Sequence, residues 1–188
     1  LFTTICFLLF INACNMFDGI NLQSGIYFLS ICIFFIFFIT QSYLLLSILI
    51  SLIFFLILNF RGRIFMGDSG IYLYSFSLSL IFINLYNEQF INYADTVFIM
   101  MMVPGIDMFR LFLFRILNKK NPFRPDNNHF HHLLLNKFSY KKTILLISII
   151  ILIPLFLLFF NFSNIIILLI YLIVYFLFVL NLKNKNVF

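Results

Sequence analysis

The sequence predicts an all-α protein, a polytopic bundle of transmembrane helices with six full spans, one partial span and polar loops collected on one face. Three observations support this prediction. The 188 residues are 64% hydrophobic and only 10% charged, whereas soluble domains carry about 25% charged residues. Apolar segments of near-spanning length recur along the chain. When these segments alternate across a bilayer, every basic residue falls on the same side.

Short polar breaks separate the apolar segments and set the bounds of each predicted helix. A spanning helix needs about 20 mostly apolar residues. A partial segment occupies about 1–13, and six full candidates follow at about 24–41, 43–60, 70–87, 92–110, 143–160 and 164–182. We interpret residues 1–188 as a single transmembrane domain.

The chain starts at Leu1 within an apolar run, with no charged region before it. A signal peptide would carry a positively charged region there. We therefore expect that the chain begins inside a transmembrane helix and that an N-terminal part of the protein is absent.

The distribution of charge predicts the orientation of the bundle. If the break at 15–24 lies inside, the alternation also places 61–70, 111–142 and the C-terminal tail inside. All twelve Lys and Arg residues then lie inside and none lies in the outer turns, in agreement with the positive-inside rule. If the protein has an active site, it is therefore predicted to face the cytoplasm, at the histidine-containing loop of about 111–142 and the other inner breaks.

The first inner cluster holds Asn12, Asn15 and Asp18, three residues apart. On a helix this spacing spreads them over about 120° of one face, because a turn takes 3.6 residues. Amides and a carboxylate in this position can read a nucleobase or help to hold a cation. They can equally be a capped helix end at the water line, although polar groups at membrane depth are costly and usually have a partner.

The second inner cluster places Asp68 between Gly67 and Gly70, just before a span. Glycine allows a backbone to approach a ligand closely, and a helix N-terminus suits phosphate. Mg²⁺ commonly takes one or two carboxylates together with substrate phosphates and water, so a diphosphate site is one interpretation. The other is a plain turn in which Asp68 or Ser69 caps the helix.

The third inner cluster begins with Asp107 and Arg110, three residues apart, which can form an ion pair where a span ends. It finishes with the three histidines of the chain, His129, His131 and His132. Their HxHH spacing lacks the i, i+4 pairing of metal ligands on one helical face. Near Arg124 they suit anion binding better, since a histidine donates hydrogen bonds and titrates near neutral pH. A structural anchor for a re-entrant loop is the alternative.

Together the three clusters resemble the polyprenyl-phosphate N-acetylhexosamine-1-phosphate transferase family, glycosyltransferase family 4, whose members include bacterial enzymes that start lipopolysaccharide O-antigen carriers. The family block NxxNxxDGxxGL is matched by Asn12, Asn15, Asp18 and Gly19. The block F(M/L)GDxG is matched by Phe65, Met66, Gly67, Asp68 and Gly70. The stretch PxxDxxR is matched by Pro104, Asp107 and Arg110. The block PFxxDxxHxHH is matched by Pro122, Phe123, Asp126, His129, His131 and His132.

The resemblance implies transfer of a sugar-1-phosphate from UDP-N-acetylhexosamine to undecaprenyl phosphate in the bacterial inner membrane, with release of UMP. This is the first membrane step of cell-envelope polysaccharide synthesis. It also implies Mg²⁺, or Mn²⁺ in its place, and contact with membrane lipid. A homodimer stays an open alternative, and no nucleic acid is expected as a partner.

The resemblance also implies a role for each matched residue. The implied catalytic residues are Asp68, which is also the metal ligand, Asp18 and His129. Phe65 is implied to stack on uracil. The other implied substrate-binding residues are Asn12, Asn15, Asp107, Arg110, Arg124, His131 and His132.

This sequence departs from the family pattern in several places. Leu22 and Gln23 follow where a second glycine is usual, and Asn127 replaces a basic residue. The acidic DDxx(D/N) motif is expected upstream of Leu1, together with about four further spans. We therefore expect this segment by itself to be inactive.

Two other classes of function compete with a transferase. A transporter with a cytoplasmic polar gate would need charges or broken helices at mid-membrane depth, whereas the polar residues here gather at the inner boundary. A catalytically inactive relative, acting as an assembly partner, is consistent with the departures at Leu22 and Asn127.

Overall fold

A computed structural model describes residues 1–37, 42–122 and 128–183, with the side chain of Lys183 excepted. Within these ranges the chain forms eight α-helices and no β-strand. The helices are α1 (Phe2–Phe17), α2 (Gln23–Ile36), α3 (Tyr43–Phe60), α4 (Gly67–Asn87), α5 (Ala94–Leu117), α6 (Phe130–Leu135), α7 (Tyr140–Phe159) and α8 (Asn164–Lys183). The predicted all-α bundle is confirmed.

Five of the helices, α3, α4, α5, α7 and α8, are long and apolar enough to cross a membrane. Of the predicted span at 24–41 the structure describes helix α2, with 14 residues, and residues 38–41 lie outside the described ranges. At a rise of about 1.5 Å per residue, α2 reaches about 21 Å, which is shorter than a hydrocarbon core of about 30 Å. Helix α1 has 16 residues and continues to Phe17, beyond the predicted partial span.

Aromatic side chains hold the first helices together. The rings of Phe10 in α1 and Phe35 in α2 both meet Phe82 in α4 edge-on, at centroid distances of 6.2 and 5.6 Å. Tyr27 in α2 donates a hydrogen bond of 2.9 Å to the carbonyl oxygen of Met100 in α5. Because lipid provides no hydrophobic driving force between helices, ring packing and interhelical hydrogen bonds stabilise such a bundle.

The outer surface of the bundle is apolar, as expected of helices that face lipid. Phe54 in α3, Ile165 in α8 and Phe156 in α7 are all mainly exposed. A soluble protein rarely exposes large apolar patches of this kind. The exposed apolar side chains therefore support a membrane location.

The inner breaks meet at one end of the bundle. The hydroxyl of Tyr140, at the start of α7, donates a 2.9 Å hydrogen bond to the carbonyl of Asn21, before α2. Lys137 Nζ donates a 2.6 Å bond to the carbonyl of Asn181, near the end of α8. These contacts confirm that inner breaks distant in sequence lie at the same end of the bundle, as the alternation of spans predicted.

Candidate functional site

The two aspartates of the first and second clusters lie at neighbouring helix ends. Asp18 directly follows α1, and Asp68 lies in the first turn of α4. The two helices pack antiparallel, and Asn15 Nδ2 donates a 3.3 Å hydrogen bond to the hydroxyl of Tyr72, one turn after Asp68. Asp18 is half-buried and Asp68 is exposed. We call Asp18 and Asp68 the acidic pair.

The two members of the acidic pair interact electrostatically. Partial burial raises the pKa of Asp18, and the negative charge of Asp68 raises it further. A hydrogen bond from the hydroxyl of Ser24 to Asp18 Oδ1 acts in the opposite direction and lowers it. The ionised pair is therefore under mutual repulsion, which a bound cation would relieve.

The residues of the acidic pair fit Mg²⁺. This ion is typically bound through one or two carboxylates, with water and substrate phosphates completing the shell. In the described ranges, no group of three or more His, Cys, Asp or Glu side chains could hold a metal ion. Two carboxylates of this kind suit an open site that would share its cation with a substrate.

Gly67 sets the backbone in front of Asp68. Its φ of +62° lies in the left-handed region, which a side chain disfavours and glycine adopts freely. Helix α4 starts immediately at this residue, so Asp68 lies in the first helical turn. Its carboxylate is consequently close to the positive end of the helix dipole.

The loop after Asp18 is fixed by Asn59, a residue that the sequence analysis did not identify. Asn59 is buried at the end of α3, and its Oδ1 accepts a 2.7 Å hydrogen bond from the backbone N–H of Leu22. Its Nδ2 donates a 2.7 Å bond to the carbonyl of Ile64. Asn59 therefore connects the loop of the first cluster with that of the second. An amide in an apolar span was the signal available.

The departure at Leu22 leaves the turn intact. Leu22 has a φ of +74°, so it occupies the left-handed conformation that the glycine of the family pattern would favour. The hydrogen bond to Asn59 stabilises that conformation. The adjacent Gln23 is fully buried at the start of α2.

Gly19 brings the third cluster to the first. A Cβ atom at position 19 would overlap the imidazole ring of His131. Only a glycine therefore allows His131 to lie against the backbone next to Asp18. The predicted gathering of the histidines with the first cluster is observed at this contact.

The three histidine rings pack on one another at the start of α6. The rings of His129 and His131 are stacked at 5.5 Å, and those of His131 and His132 lie 4.3 Å apart. Burial lowers the pKa of His131 to about 3, with the neighbouring His132 and His129 adding to the effect and Asp107 opposing it. His131 is therefore neutral at physiological pH. We call residues His129 to His132 the histidine segment.

Beneath the histidine segment lies a network formed by Asp107, Arg110 and Tyr175, which we call the buried network. Arg110 Nη2 lies 2.6 Å from Asp107 Oδ1 in an ion pair between two buried side chains. The hydroxyl of Tyr175, on α8, donates a 2.7 Å hydrogen bond to the same oxygen. Arg110 Nη2 also donates a 2.6 Å bond to the carbonyl of Asn128. The ion pair foreseen from the sequence is present.

The second oxygen of Asp107 faces the histidine segment. Asp107 Oδ2 accepts a 3.2 Å hydrogen bond from the backbone N–H of Phe130. It also lies 3.4 Å from His129 Nδ1, an ion-pair distance rather than that of a well-formed hydrogen bond. Asp107 thus fixes the first turn of α6.

The remaining predicted site residues are placed as follows. Asn12 is exposed, and its Nδ2 donates a 2.8 Å hydrogen bond to the carbonyl of Leu8. Phe65 is 76% exposed just before α4. Arg110 Nη1 has no hydrogen-bond partner within the described ranges. Residues 123–127 of the histidine block, which include Phe123, Arg124, Asp126 and Asn127, lie outside the described residues.

A separate cavity of about 500 Å³ opens at the opposite end of the bundle. Its walls include Phe34, Asp95 and Asn164. None of the predicted site residues lines it, so it is not part of the candidate site.

Comparison with known proteins finds related sequences. Residues 1–86 match the glycosyl transferase family 4 model. A Thermotoga maritima undecaprenyl-phosphate alpha-N-acetylglucosaminyl 1-phosphate transferase is 32% identical over 148 residues, 78% of this chain and 46% of that protein. A probable undecaprenyl-phosphate N-acetylglucosaminyl 1-phosphate transferase of Bacillus subtilis is 29% identical over 148 residues, 74% of this chain and 41% of that protein.

A third relative, an undecaprenyl-phosphate alpha-N-acetylglucosaminyl 1-phosphate transferase of Haemophilus influenzae, is 30% identical over 114 residues, 55% of this chain and 32% of that protein. The chain thus spans about half the length, or less, of the curated relatives that it matches. No solved structure matches it significantly. The resemblance found from the sequence motifs is confirmed.

Proposed function

We propose, on the premise that this chain is a relative of glycosyl transferase family 4, that it forms the inner-face site of a membrane transferase. The reaction moves N-acetylhexosamine-1-phosphate from a UDP-sugar to undecaprenyl phosphate and releases UMP. Two contacts support this most strongly: Gly19 lies against His131, and Asn15 donates a hydrogen bond to Tyr72, one turn after Asp68. Together they bring residues of all three polar clusters close to one another.

The products define which bonds change. An oxygen of undecaprenyl phosphate attacks the phosphorus that carries the sugar, and the bond from that phosphorus to the bridging oxygen breaks. The bridging oxygen leaves with UMP, and the lipid keeps a diphosphate linked to the sugar. Every species in this exchange is anionic, so the site must bind phosphate groups and reduce the repulsion between them.

The acidic pair is the side of the site that would hold the cation. Asp68 is exposed, and its negative charge contributes to the raised pKa of Asp18. Mg²⁺, or Mn²⁺ in its place, would stabilise the charge of the diphosphate when bound there. Loss of either carboxylate would remove a ligand, and loss of the more accessible Asp68 would have the larger effect.

The histidine segment is the side of the site that would bind the diphosphate oxygens. Because His131 is neutral, it would offer an N–H donor rather than a positive charge. Arg110 provides a positive charge beneath the segment, from a buried side chain that is paired with Asp107. We assign Arg124 to the same group by its place in the matched motif.

The remaining predicted residues have positions that suit a nucleotide. Phe65 is exposed before α4, where its ring is accessible for stacking on uracil. Asn15 belongs to the α1–α4 contact, and Asn12 is exposed one turn earlier. We place this end of the bundle in the cytoplasm of a bacterial cell, because all twelve Lys and Arg residues belong to the inner breaks or their borders.

The test measures UMP release by the full-length protein in membranes supplied with Mg²⁺, UDP-N-acetylglucosamine and undecaprenyl phosphate. Asp68→Asn should abolish the release and leave membrane insertion unchanged. Asp95→Asn is the matched control, because Asp95 is also an exposed aspartate in the first turn of a spanning helix but lies at the opposite end. This control should keep its activity.

Full activity of the Asp68→Asn protein would contradict the assignment of Asp68 as metal ligand. No release by the unmodified protein, with correct insertion, would favour the catalytically inactive relative. The segment of residues 1–188 by itself should be inactive, since it spans only about half the length of its relatives.

A further inference from the structure

Within the described ranges, Tyr175 is the one side chain of α8 that forms hydrogen bonds with Asp107 and Arg110. Its hydroxyl donates to Asp107 Oδ1 at 2.7 Å and accepts a hydrogen bond from Arg110 Nε at 3.1 Å. The side chain is only 4% exposed. The hydroxyl therefore has both a donor role and an acceptor role inside an otherwise apolar helix.

The ring of Tyr175 also touches the histidine segment. It lies 5.3 Å from the ring of Phe130, which in turn lies 6.0 Å from Phe178 on the same helix. Phe130 is held at its other side by Asp107, which accepts a hydrogen bond from its backbone N–H. Helix α8 thus contacts the start of α6 both through apolar packing and through the carboxylate of Asp107.

The hydroxyl of Tyr175 determines how Asp107 is oriented. Without it, Asp107 Oδ1 would keep only Arg110 as a donor, and the guanidinium would lose its contact to the tyrosine oxygen. A buried carboxylate depends strongly on each of its donors, because water is not present to replace them. The carboxylate that holds Phe130 and faces His129 would then be held in place by fewer donors.

We propose that Tyr175 is a positioning residue that holds the histidine segment against Gly19 through Asp107. The sequence of contacts runs from the Tyr175 hydroxyl to Asp107, from Asp107 to the first turn of α6, and from there to His131 on Gly19. The effect of this positioning role on the reaction rests on the function proposed above, whereas the contacts of Tyr175 and Asp107 are independent of that function.

Tyr171 provides the matched control. It lies one helical turn before Tyr175, is equally buried, and its ring stacks on that of Tyr175 at 6.5 Å. Its hydroxyl, however, has no hydrogen-bond partner among the described residues. Removing this hydroxyl tests the effect of a Tyr-to-Phe change in α8 without loss of a bond to the network.

The experiment measures how fast diethylpyrocarbonate modifies the histidines of the full-length protein in lipid nanodiscs, with the sites read by mass spectrometry. All three histidines of this chain lie in the histidine segment. Tyr175→Phe should raise their modification rate about tenfold, the lower end expected for loss of a hydrogen bond to a charged group. Tyr171→Phe should leave the rate unchanged.

Equal rates for the two variants, or wild-type histidines that already react as fast as those of an unfolded peptide, would overturn the inference. The rate of UMP release gives a second readout. It should fall about tenfold in Tyr175→Phe, because the same hydrogen bond is lost, and it should stay unchanged in Tyr171→Phe. If the wild type releases no UMP but the difference in histidine reactivity persists, the proposed function fails and the positioning role stands. If the variants release UMP equally and react equally, the positioning role fails and the function stands.

Discussion

The acidic pair and the buried network use the same residue type in opposite ways. Asp68 is exposed at a helix start and faces solvent, whereas Asp107 is 3% exposed and both of its oxygens face protein groups. Asp18 lies between these extremes, with one partner in Ser24 and a pKa raised by partial burial. The first group is arranged to take a ligand, and the second has its bonding used by the fold.

This difference follows from the cost of charge near a membrane. A carboxylate that is withdrawn from water is stable only with several donors, which Asp107 finds in Arg110, Tyr175 and Phe130. A carboxylate at the water boundary can stay without such donors. Substitutions in the buried network should therefore lower stability as well as activity, whereas substitution of Asp68 should lower activity and leave stability nearly unchanged.

The largest expected effect comes from breaking the buried network. Asp107→Leu leaves Arg110 buried and unpaired, which should cost about 3–5 kcal/mol of the free energy of unfolding. Unfolding in mixed detergent micelles measures it. Combining Asp107→Leu with Arg110→Met should restore most of the loss, and Asp68→Asn should change stability by no more than about 0.5 kcal/mol. A similar loss in the free energy of unfolding in all three variants would show that the buried network and the acidic pair do not differ in their contribution to stability.

Gly19→Ala tests the contact between the two sides. The added methyl group must displace the His131 ring, so we expect a loss of about 1–3 kcal/mol in stability together with faster chemical modification of His131. Gly105→Ala is the control, because a Cβ there meets no atom within 4 Å. Inside α5 it should be neutral or stabilise the protein by about 0.5–1 kcal/mol. Unchanged reactivity of His131 in Gly19→Ala would contradict the contact.

His131 predicts a dependence of stability on pH. Its pKa is lowered to about 3 in the folded protein, from about 6.5 when unfolded. The unfolded state therefore binds more protons between these values, and stability falls as pH falls through that window. The loss should reach about 2 kcal/mol at pH 5. Thermal unfolding of wild type and His131→Asn at pH 7.5 and pH 5 measures it. An equal pH response of both proteins would contradict the neutral, buried state.

The smallest effect compares two glycines with the same backbone. Gly62 and Gly67 have φ of +66° and +62°, and a Cβ atom at either position would meet no other atom within 4 Å. Substitution by Ala should cost about 1 kcal/mol at either place. Only Gly67→Ala should also lower UMP release, because Gly67 sets the position of Asp68. Equal activity of the two variants would show that the backbone before Asp68 does not matter.

The sequence was sufficient for the parts of the molecule that depend on composition and periodicity. Four of the five long apolar helices were predicted within three residues, and the sharing of one end by distant breaks followed from the charges. The prediction for α5 was wrong at its end, because the helix continues seven residues beyond the predicted end at 110, to Leu117, so that Asp107 and Arg110 lie within the helix. For the span predicted at 24–41 the structure describes α2 up to Ile36, and residues 38–41 lie outside the described residues.

The residues that the sequence analysis did not identify act through tertiary contacts. Asn59 and Tyr175 bond to residues that lie 37 and 68 positions away in the sequence. Such pairings depend on how helices cross, and no spacing along the chain encodes them. The turn at Leu22 shows the same effect, because a hydrogen bond to Asn59 stabilises a conformation that local preference disfavours.

The central claim is that the acidic pair and the histidine segment line one site. The most direct measurement is the rate at which diethylpyrocarbonate modifies His129 and His132 with and without UDP and Mg²⁺. We predict that UDP with Mg²⁺ slows the modification in the wild type and in Asp95→Asn, but not in Asp68→Asn. Protection that persists in Asp68→Asn, or no protection in the wild type, would contradict a shared site.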